Sequence, residues 1–113
     1  MNSWGLNARD VKWLRDTFAQ FPEITEVRIF GSRAMGNFKP GSDVDLALFG
    51  KGRLECTTRV SGMLNEELPL PYQFDVVDYS AVTNPDLLAH IDQHGQQIYL
   101  GKIRKADVTG RRR

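Results

Sequence analysis

The spacing of apolar residues predicts three helices. The first begins behind Asn7, which is suited to an N-cap, and ends before Pro22. Its buried side is a set of apolar residues three and four positions apart: Val11, Leu14, Phe18 and Phe21. A second helix is predicted over residues 53–68 from a less regular apolar stripe. The third begins behind Asn84, which precedes a proline, and ends at Gly95.

Between these helices, short segments have the composition of strands. Residues 26–29 alternate polar and apolar side chains, and this strand stops at Gly31. Residues 43–49 form the next predicted strand, and residues 72–79 form a third that is rich in aromatic and β-branched side chains. A last short extended segment is expected around Ile98.

Length and composition describe one globular domain. The chain has 113 residues, of which 41% are hydrophobic and 26% charged, so disordered and fibrous classes are excluded. A core of this size leaves room for a shallow site or one shared with a partner. No apolar stretch approaches the roughly 18 residues of a membrane span, and the first ten residues lack the apolar centre of a signal peptide. We therefore expect a soluble cytoplasmic protein without membrane contact.

The net charge of +1 conceals an uneven distribution. Six of the fifteen basic residues, and one acid, lie in residues 102–113, which we predict to be a basic, disordered tail. The remaining body, residues 1–101, carries nine basic and thirteen acidic side chains, a net charge of −4. This balance argues against nucleic-acid binding by the body, because phosphate-backbone binding requires clustered Lys and Arg on a folded surface.

Three aspartates on predicted strands suggest a metal-dependent reaction. Asp43 and Asp45 are two residues apart on one strand, so their carboxylates point to the same face. Mg²⁺ is commonly held by one or two such carboxylates together with phosphate oxygens. Asp75 lies among apolar residues, where a carboxylate is costly unless a metal, a hydrogen-bond donor or an opening of the site to solvent compensates. If its strand lies beside the strand of Asp43 and Asp45, Asp75 completes a two-metal arrangement and can act as a base.

The turn after the first strand has the features of a phosphate-binding loop. Gly31 permits a tight turn and a close approach of phosphate to backbone N–H groups, and the Ser32 hydroxyl can donate to a terminal phosphate. Arg33 and Lys39 are candidates to offset triphosphate charge. His90 and His94 share a helix face, but we expect solvent-facing or cap-proximal side chains there and no metal site.

Together these features resemble a known family. Gly31-Ser32, ten residues and then Asp43-x-Asp45 resemble the nucleotidyltransferase signature of the DNA polymerase β superfamily, at the spacing of its minimal members. The continuation after Ser32 and the ending near Ile98 resemble the MNT-domain antitoxins that are encoded beside HEPN-domain toxins. The resemblance covers residues 7–101, so the minimal nucleotidyltransferase domain is assigned to residues 1–101.

The resemblance implies an α+β fold with a small mixed sheet flanked by helices. It further implies that Gly31 and Ser32 hold the triphosphate of Mg-ATP, that Asp43 and Asp45 bind Mg²⁺, and that Asp75 is the third catalytic carboxylate. The implied reaction transfers AMP to a tyrosine of a HEPN ribonuclease toxin, with which the chain forms a hetero-oligomer. One departure is Met35, which stands where many relatives have a second arginine.

Two other functions remain open from the sequence. The chain could be an antitoxin that neutralises its partner by occlusion, using the site only to bind nucleotide or not at all. It could instead modify a small molecule, as aminoglycoside nucleotidyltransferases do, although those enzymes use additional chain to form an acceptor pocket.

Overall fold

A four-stranded mixed sheet forms the centre of the molecule. The computed structural model describes residues 4–101. Its strands are β1 (Ile24–Phe30), β2 (Val44–Gly50), β3 (Phe74–Asp78) and β4 (Gln96–Leu100). The order across the sheet is β3–β2–β1–β4. β1 pairs antiparallel with both β2 and β4, whereas β2 and β3 are parallel. The predicted α+β class with a mixed sheet is thus confirmed.

Helices connect the strands, and two predicted N-caps are confirmed. The helices are α1 (Ala8–Phe18), α2 (Gly31–Met35), α3 (Thr57–Gly62) and α4 (Pro85–His94), with a π-helical turn (Met63–Glu67) and a 3₁₀ turn (Tyr79–Ala81). The side-chain oxygen of Asn7 accepts from the Asp10 N–H at 2.8 Å, and that of Asn84 accepts from the Asp86 N–H at 2.8 Å. No helix within residues 4–101 is long and apolar enough to cross a membrane. The predicted tail, residues 102–113, lies outside the described residues.

The first helix is shorter than its apolar stripe predicts. It ends at Phe18, yet Phe21 is still buried. Phe21 lies in a tight turn, in which its N–H donates to the Phe18 carbonyl at 3.0 Å. A residue before proline is disfavoured in the helical region, so Pro22 requires the chain to leave the helix before Phe21. The apolar stripe thus predicted the buried residues correctly but not the last turn.

The helix predicted over residues 53–68 is divided into a loop, α3 and the π-helical turn. α3 begins only at Thr57 because the loop before it is bound elsewhere: the Leu54 N–H donates to the Asp78 carboxylate at 2.8 Å. Gly62 is the last residue of α3, where the hydrogen bonding changes to the π pattern. The Leu54 contact gives Asp78 a structural role, and its side chain lies on the face of β3 opposite to that of Asp75.

The two faces of the sheet have different roles. One face packs against α1 and α3 and carries the main core, which includes Val27, Ile29, Val44, Leu46, Leu48, Phe74 and Ile98. The other face carries a smaller cluster, formed by Phe30, Ala47 and Ile91, under α4. Because strand side chains alternate, Asp45 and Asp75 lie on this second face.

A buried arginine holds three segments together. Arg33 is only 2% exposed. Its Nη1 donates to the Trp4 carbonyl at 2.8 Å, while Nε and Nη2 donate to the Ser42 carbonyl at 3.1 and 2.8 Å. The rings of Phe38 and Tyr72 lie 4.9 and 5.2 Å from the centre of its guanidinium. Arg33 therefore fixes the N-terminal segment and the loop before β2 to α2.

Replacing this side chain is expected to destabilise the fold. Arg33→Ala removes the guanidinium hydrogen bonds to the Trp4 and Ser42 carbonyls, and we expect a loss of about 3 kcal/mol in the free energy of unfolding, measured with urea. Arg9→Ala, which removes an exposed arginine from α1, is the matched control and should cost less than about 0.5 kcal/mol. Equal stability of the two variants would contradict the anchoring role.

Candidate active site

Two aspartates from neighbouring parallel strands lie directly opposite each other. In the register of β2 and β3, Asp45 pairs with Asp75. Each is the second residue of its strand, so both carboxylates lie at the same end of the sheet and on the α4 face. The adjacency of the two strands, which the sequence left conditional, is thereby confirmed.

The environment of Asp45 disfavours its negative charge. Partial burial is the largest cause, followed by the charges of Asp75 and Asp43, and together they raise the pKa of Asp45 from 3.8 to about 6. The guanidinium of Arg33 opposes this shift. Asp43 and Asp75 therefore act electrostatically on Asp45 at this end of the sheet. The raised pKa is found at Asp45, which is the half-buried member of the three.

The other two aspartates differ from the prediction in detail. β2 begins at Val44, so Asp43 is an exposed residue that precedes the strand instead of lying on it. Asp75 is also exposed, because its apolar neighbours Phe74 and Val76 pack into the core on the opposite face. Opening to solvent is thus the compensation that the structure shows at Asp75, and the cost of burial falls on Asp45 instead.

Gly31 lies directly beside Asp45 of this group. It begins α2 directly after β1, with a φ of +73°, a conformation that L side chains rarely adopt. A Cβ atom at this position would overlap the Asp45 carboxylate. The Gly31 N–H donates to Nε2 of His90 at 2.9 Å. Glycine is thus required here both by the backbone conformation and by the space that Asp45 leaves.

Ser32 follows within the same turn. Its side chain is partly exposed, and its carbonyl accepts the N–H groups of Gly36 and Asn37 at 2.9 and 3.2 Å, which closes α2 after little more than one turn. The first N–H groups of a helix have no partner within it. The turn therefore combines a hydroxyl with backbone donors beside the Asp45 carboxylate.

The two predicted cationic ligands have different positions. Arg33 is buried, and all three of its guanidinium nitrogens donate to backbone carbonyls, so the structure gives it an anchoring role in place of the predicted phosphate contact. Lys39 is exposed in the loop before β2, where its N–H donates to the Ser42 hydroxyl at 2.9 Å. Its ammonium group is therefore on a short surface loop that Arg33 holds.

His90 is the residue of this region that sequence reasoning missed. It was expected to face solvent or to lie near the helix end, but it is partly buried and contacts the Gly31 turn. A signal was present in the spacing, since His90 lies three residues after Leu87 and directly before Ile91, both of which pack in the smaller cluster. Only His94, one turn later, is exposed.

Among residues 4–101, no group of three or more His, Cys, Asp or Glu side chains converges in the way a complete metal site requires. The expectation of no metal site at His90 and His94 stays a prediction. The three aspartates are neighbours but do not form a finished cage. A cation at this position would need further oxygen ligands, such as those of a phosphate.

The sequence and the fold were compared with known proteins. The family described as polymerase beta, nucleotidyltransferase matches residues 12–103. No curated protein matches the sequence.

Three solved structures have similar folds. A chain of a toxin–antitoxin complex with AMP-PNP has a TM-score of 0.62 and 23% identity, over 88% of this chain and 75% of that chain. A chain of a variant MntA toxin–antitoxin complex has a TM-score of 0.63 and 22% identity, over 92% of this chain and 79% of that chain. The third complex joins the tri-AMPylated HEPN toxin of Shewanella oneidensis to an MNT antitoxin (TM-score 0.56, 22% identity, 83% and 68%).

These similarities show a shared fold, and the family match extends over most of the sheet and its helices. It includes the Gly31-Ser32 turn and all three aspartates. The chain therefore belongs to the polymerase β nucleotidyltransferase family.

Proposed function

We propose that this chain is an antitoxin that transfers AMP from Mg-ATP to a tyrosine hydroxyl of a HEPN-family ribonuclease toxin and thereby inactivates it. The observation that carries the proposal is the in-register pair of Asp45 and Asp75 beside the Gly31-Ser32 turn. Further support comes from the similar structures, of which one contains AMP-PNP and another an AMPylated HEPN toxin with its MNT antitoxin.

In this proposal the turn after β1 binds the triphosphate. The backbone N–H groups of α2 that follow Gly31 and the Ser32 hydroxyl donate to phosphate oxygens. Gly31 allows the phosphates to approach, because no Cβ stands between the turn and Asp45. Lys39, exposed on the neighbouring loop, contributes a positive charge. Arg33 is not included among the ligands, since its donors are used within the fold.

The carboxylates fit a divalent cation. Burial first, and then the charges of Asp75 and Asp43, raise the pKa of Asp45, and a bound cation would offset all three effects. Carboxylate and phosphate oxygens are the ligands that Mg²⁺ prefers. Asp43 and Asp45 would hold the ion, with Asp75 as a further ligand. Bound there, Mg²⁺ supplies electrostatic stabilisation of the charge on the reacting phosphate.

The transfer is a single displacement at the α-phosphorus. The acceptor oxygen forms a bond to this phosphorus, the bond to the oxygen that bridges to the β-phosphate breaks, and pyrophosphate leaves. Asp75 is exposed and can accept the proton of the incoming hydroxyl. A protein partner can reach this carboxylate because β3 is an edge strand of the sheet. The chain would act in the cytoplasm as a hetero-oligomer with its toxin.

The first test is intact mass spectrometry of the HEPN protein encoded beside this chain. After incubation with the chain, MgCl₂ and each nucleoside triphosphate in turn, we expect the partner to gain one or more AMP units with ATP alone. Asp43→Asn and Asp45→Asn should abolish the gain, whereas Asp16→Asn, an exposed aspartate on α1, should leave it intact. A stable complex that blocks the ribonuclease without any mass gain would favour occlusion instead.

A second test concerns the phosphate contact of Ser32. We expect Ser32→Ala to raise the KM for ATP, because a hydrogen bond to a charged oxygen is lost, at a cost of about 1 to 3 kcal/mol. Thr58→Ala removes an exposed hydroxyl from α3, which packs on the opposite face of the sheet, and serves as the control. An unchanged KM and rate in Ser32→Ala would remove this residue from the proposed site.

A third test uses the pH dependence of stability without cation. Since folding raises the pKa of Asp45 from 3.8 to about 6, the folded state binds the proton more tightly, and stability falls as the pH rises through this interval. Asp45→Asn should therefore be more stable than the original chain at pH values above the interval. Because the carboxylate is only partly buried, we expect a gain of about 1 kcal/mol.

Thermal melts on either side of this interval, with and without MgCl₂, measure the effect. The advantage of Asp45→Asn should vanish on the acidic side, and added MgCl₂ should stabilise the original chain more than the variant. Glu67→Gln, which neutralises an exposed carboxylate on the π-helical turn, should behave like the original chain. A destabilised Asp45→Asn at neutral pH would refute the repulsion described above.

A further inference from the structure

One hydrogen bond ties the candidate phosphate-binding turn to the last helix. The Gly31 N–H lies 2.9 Å from Nε2 of His90. A backbone N–H can only donate, so Nε2 must be the unprotonated nitrogen of the ring. A neutral His90 then carries its proton on Nδ1. The contact therefore specifies both the orientation and the tautomer of this side chain.

The position of His90 is fixed by the packing of α4. Ile91, the next residue, is fully buried against the second face of the sheet, and Asn84 caps the beginning of the helix. The ring of Phe30 meets the His90 ring edge-on, with 6.0 Å between centroids. His90 thus projects from a helix that is anchored independently of the turn it contacts.

Gly31 transmits this contact to the carboxylates. On one side its N–H is held by His90, and on the other it packs against Asp45, with no space for a Cβ atom. It also has the left-handed φ of +73° that directs the chain from β1 into α2. A shift of Gly31 would move the Ser32 donors relative to Asp45.

We infer that His90 is a positioning residue for nucleotide binding, which acts by accepting the Gly31 N–H and so holding the Gly31-Ser32 turn against Asp45. This inference rests on the proposed function, because it assigns the turn to the triphosphate. His90 is not a catalytic residue in this scheme, since its ring nitrogen binds the protein backbone and not the substrate.

The tautomer can be measured on the unmodified protein. Long-range ¹H–¹⁵N NMR spectra distinguish the two neutral forms of a histidine. For His90 we expect the proton on Nδ1 and a hydrogen-bonded Gly31 amide that exchanges slowly with solvent. A proton on Nε2 in the neutral ring would overturn the inference without any mutation.

Substitutions then test the link to nucleotide binding. We expect His90→Leu to raise the Kd for AMP-PNP, measured by calorimetry in MgCl₂, by about five- to tenfold, in the range of one lost hydrogen bond. His90→Gln provides an amide oxygen that can accept from Gly31 and should restore the Kd to within about twofold. Gln93→Leu, at an exposed position of α4, is the matched control and should leave the Kd unchanged.

The effect should appear in binding and not in turnover. At saturating ATP, the kcat of His90→Leu for AMP transfer should stay within about twofold of the original, while KM rises with Kd. An equal rise of the Kd for AMP-PNP in His90→Leu and His90→Gln, or an unchanged Kd in both, would refute the positioning role. If the original chain does not bind AMP-PNP, the proposed function fails as well. Normal binding of AMP-PNP by both the original chain and His90→Leu would refute the positioning role alone.

Discussion

The close contact between Gly31 and Asp45 is the constraint on which the candidate site depends. Phe30, the last residue of β1, pairs with Asp45 on β2, so the chain must turn directly beside this carboxylate. Only a glycine combines the left-handed backbone with the missing Cβ that this turn requires. The contact brings a group of hydrogen-bond donors and the Asp45 carboxylate within one small volume.

This arrangement disfavours the negative charge of Asp45, and the buried guanidinium of Arg33 reduces that effect. Burial, and after it the charges of Asp75 and Asp43, raise the pKa of Asp45, whereas Arg33 lowers it. Arg33 was expected to serve the ligand, but it joins the N-terminal segment and the loop before β2 to α2 while its charge acts on Asp45 from within the fold. One buried side chain thus stabilises both the loop that carries Asp43 and the negative charge of Asp45.

The sequence could predict what depends on neighbours along the chain. The caps at Asn7 and Asn84 and the outward alternation of Asp45 within β2 all follow from local pattern. The burial of Arg33 and the contact of His90 with Gly31 do not, since they join residues 29 and 59 positions apart. Local periodicity gives the face of a side chain but not its partner across the fold, so these two roles required the three-dimensional structure.

The division of the sheet into two faces separates the main core from the face that carries the candidate site. The larger core lies under α1 and α3, so the other face can remain partly open without loss of the main apolar burial. On that face α4 covers Phe30 and Ala47 of the central strands and brings His90 to the turn, whereas Asp75 on the edge strand β3 stays exposed. In the proposed reaction, the turn that would bind phosphate is thus held by α4, and the side that would receive a hydroxyl is open. An open acceptor side suits a hydroxyl that is presented by a folded protein, because the partner itself then closes the site and excludes water.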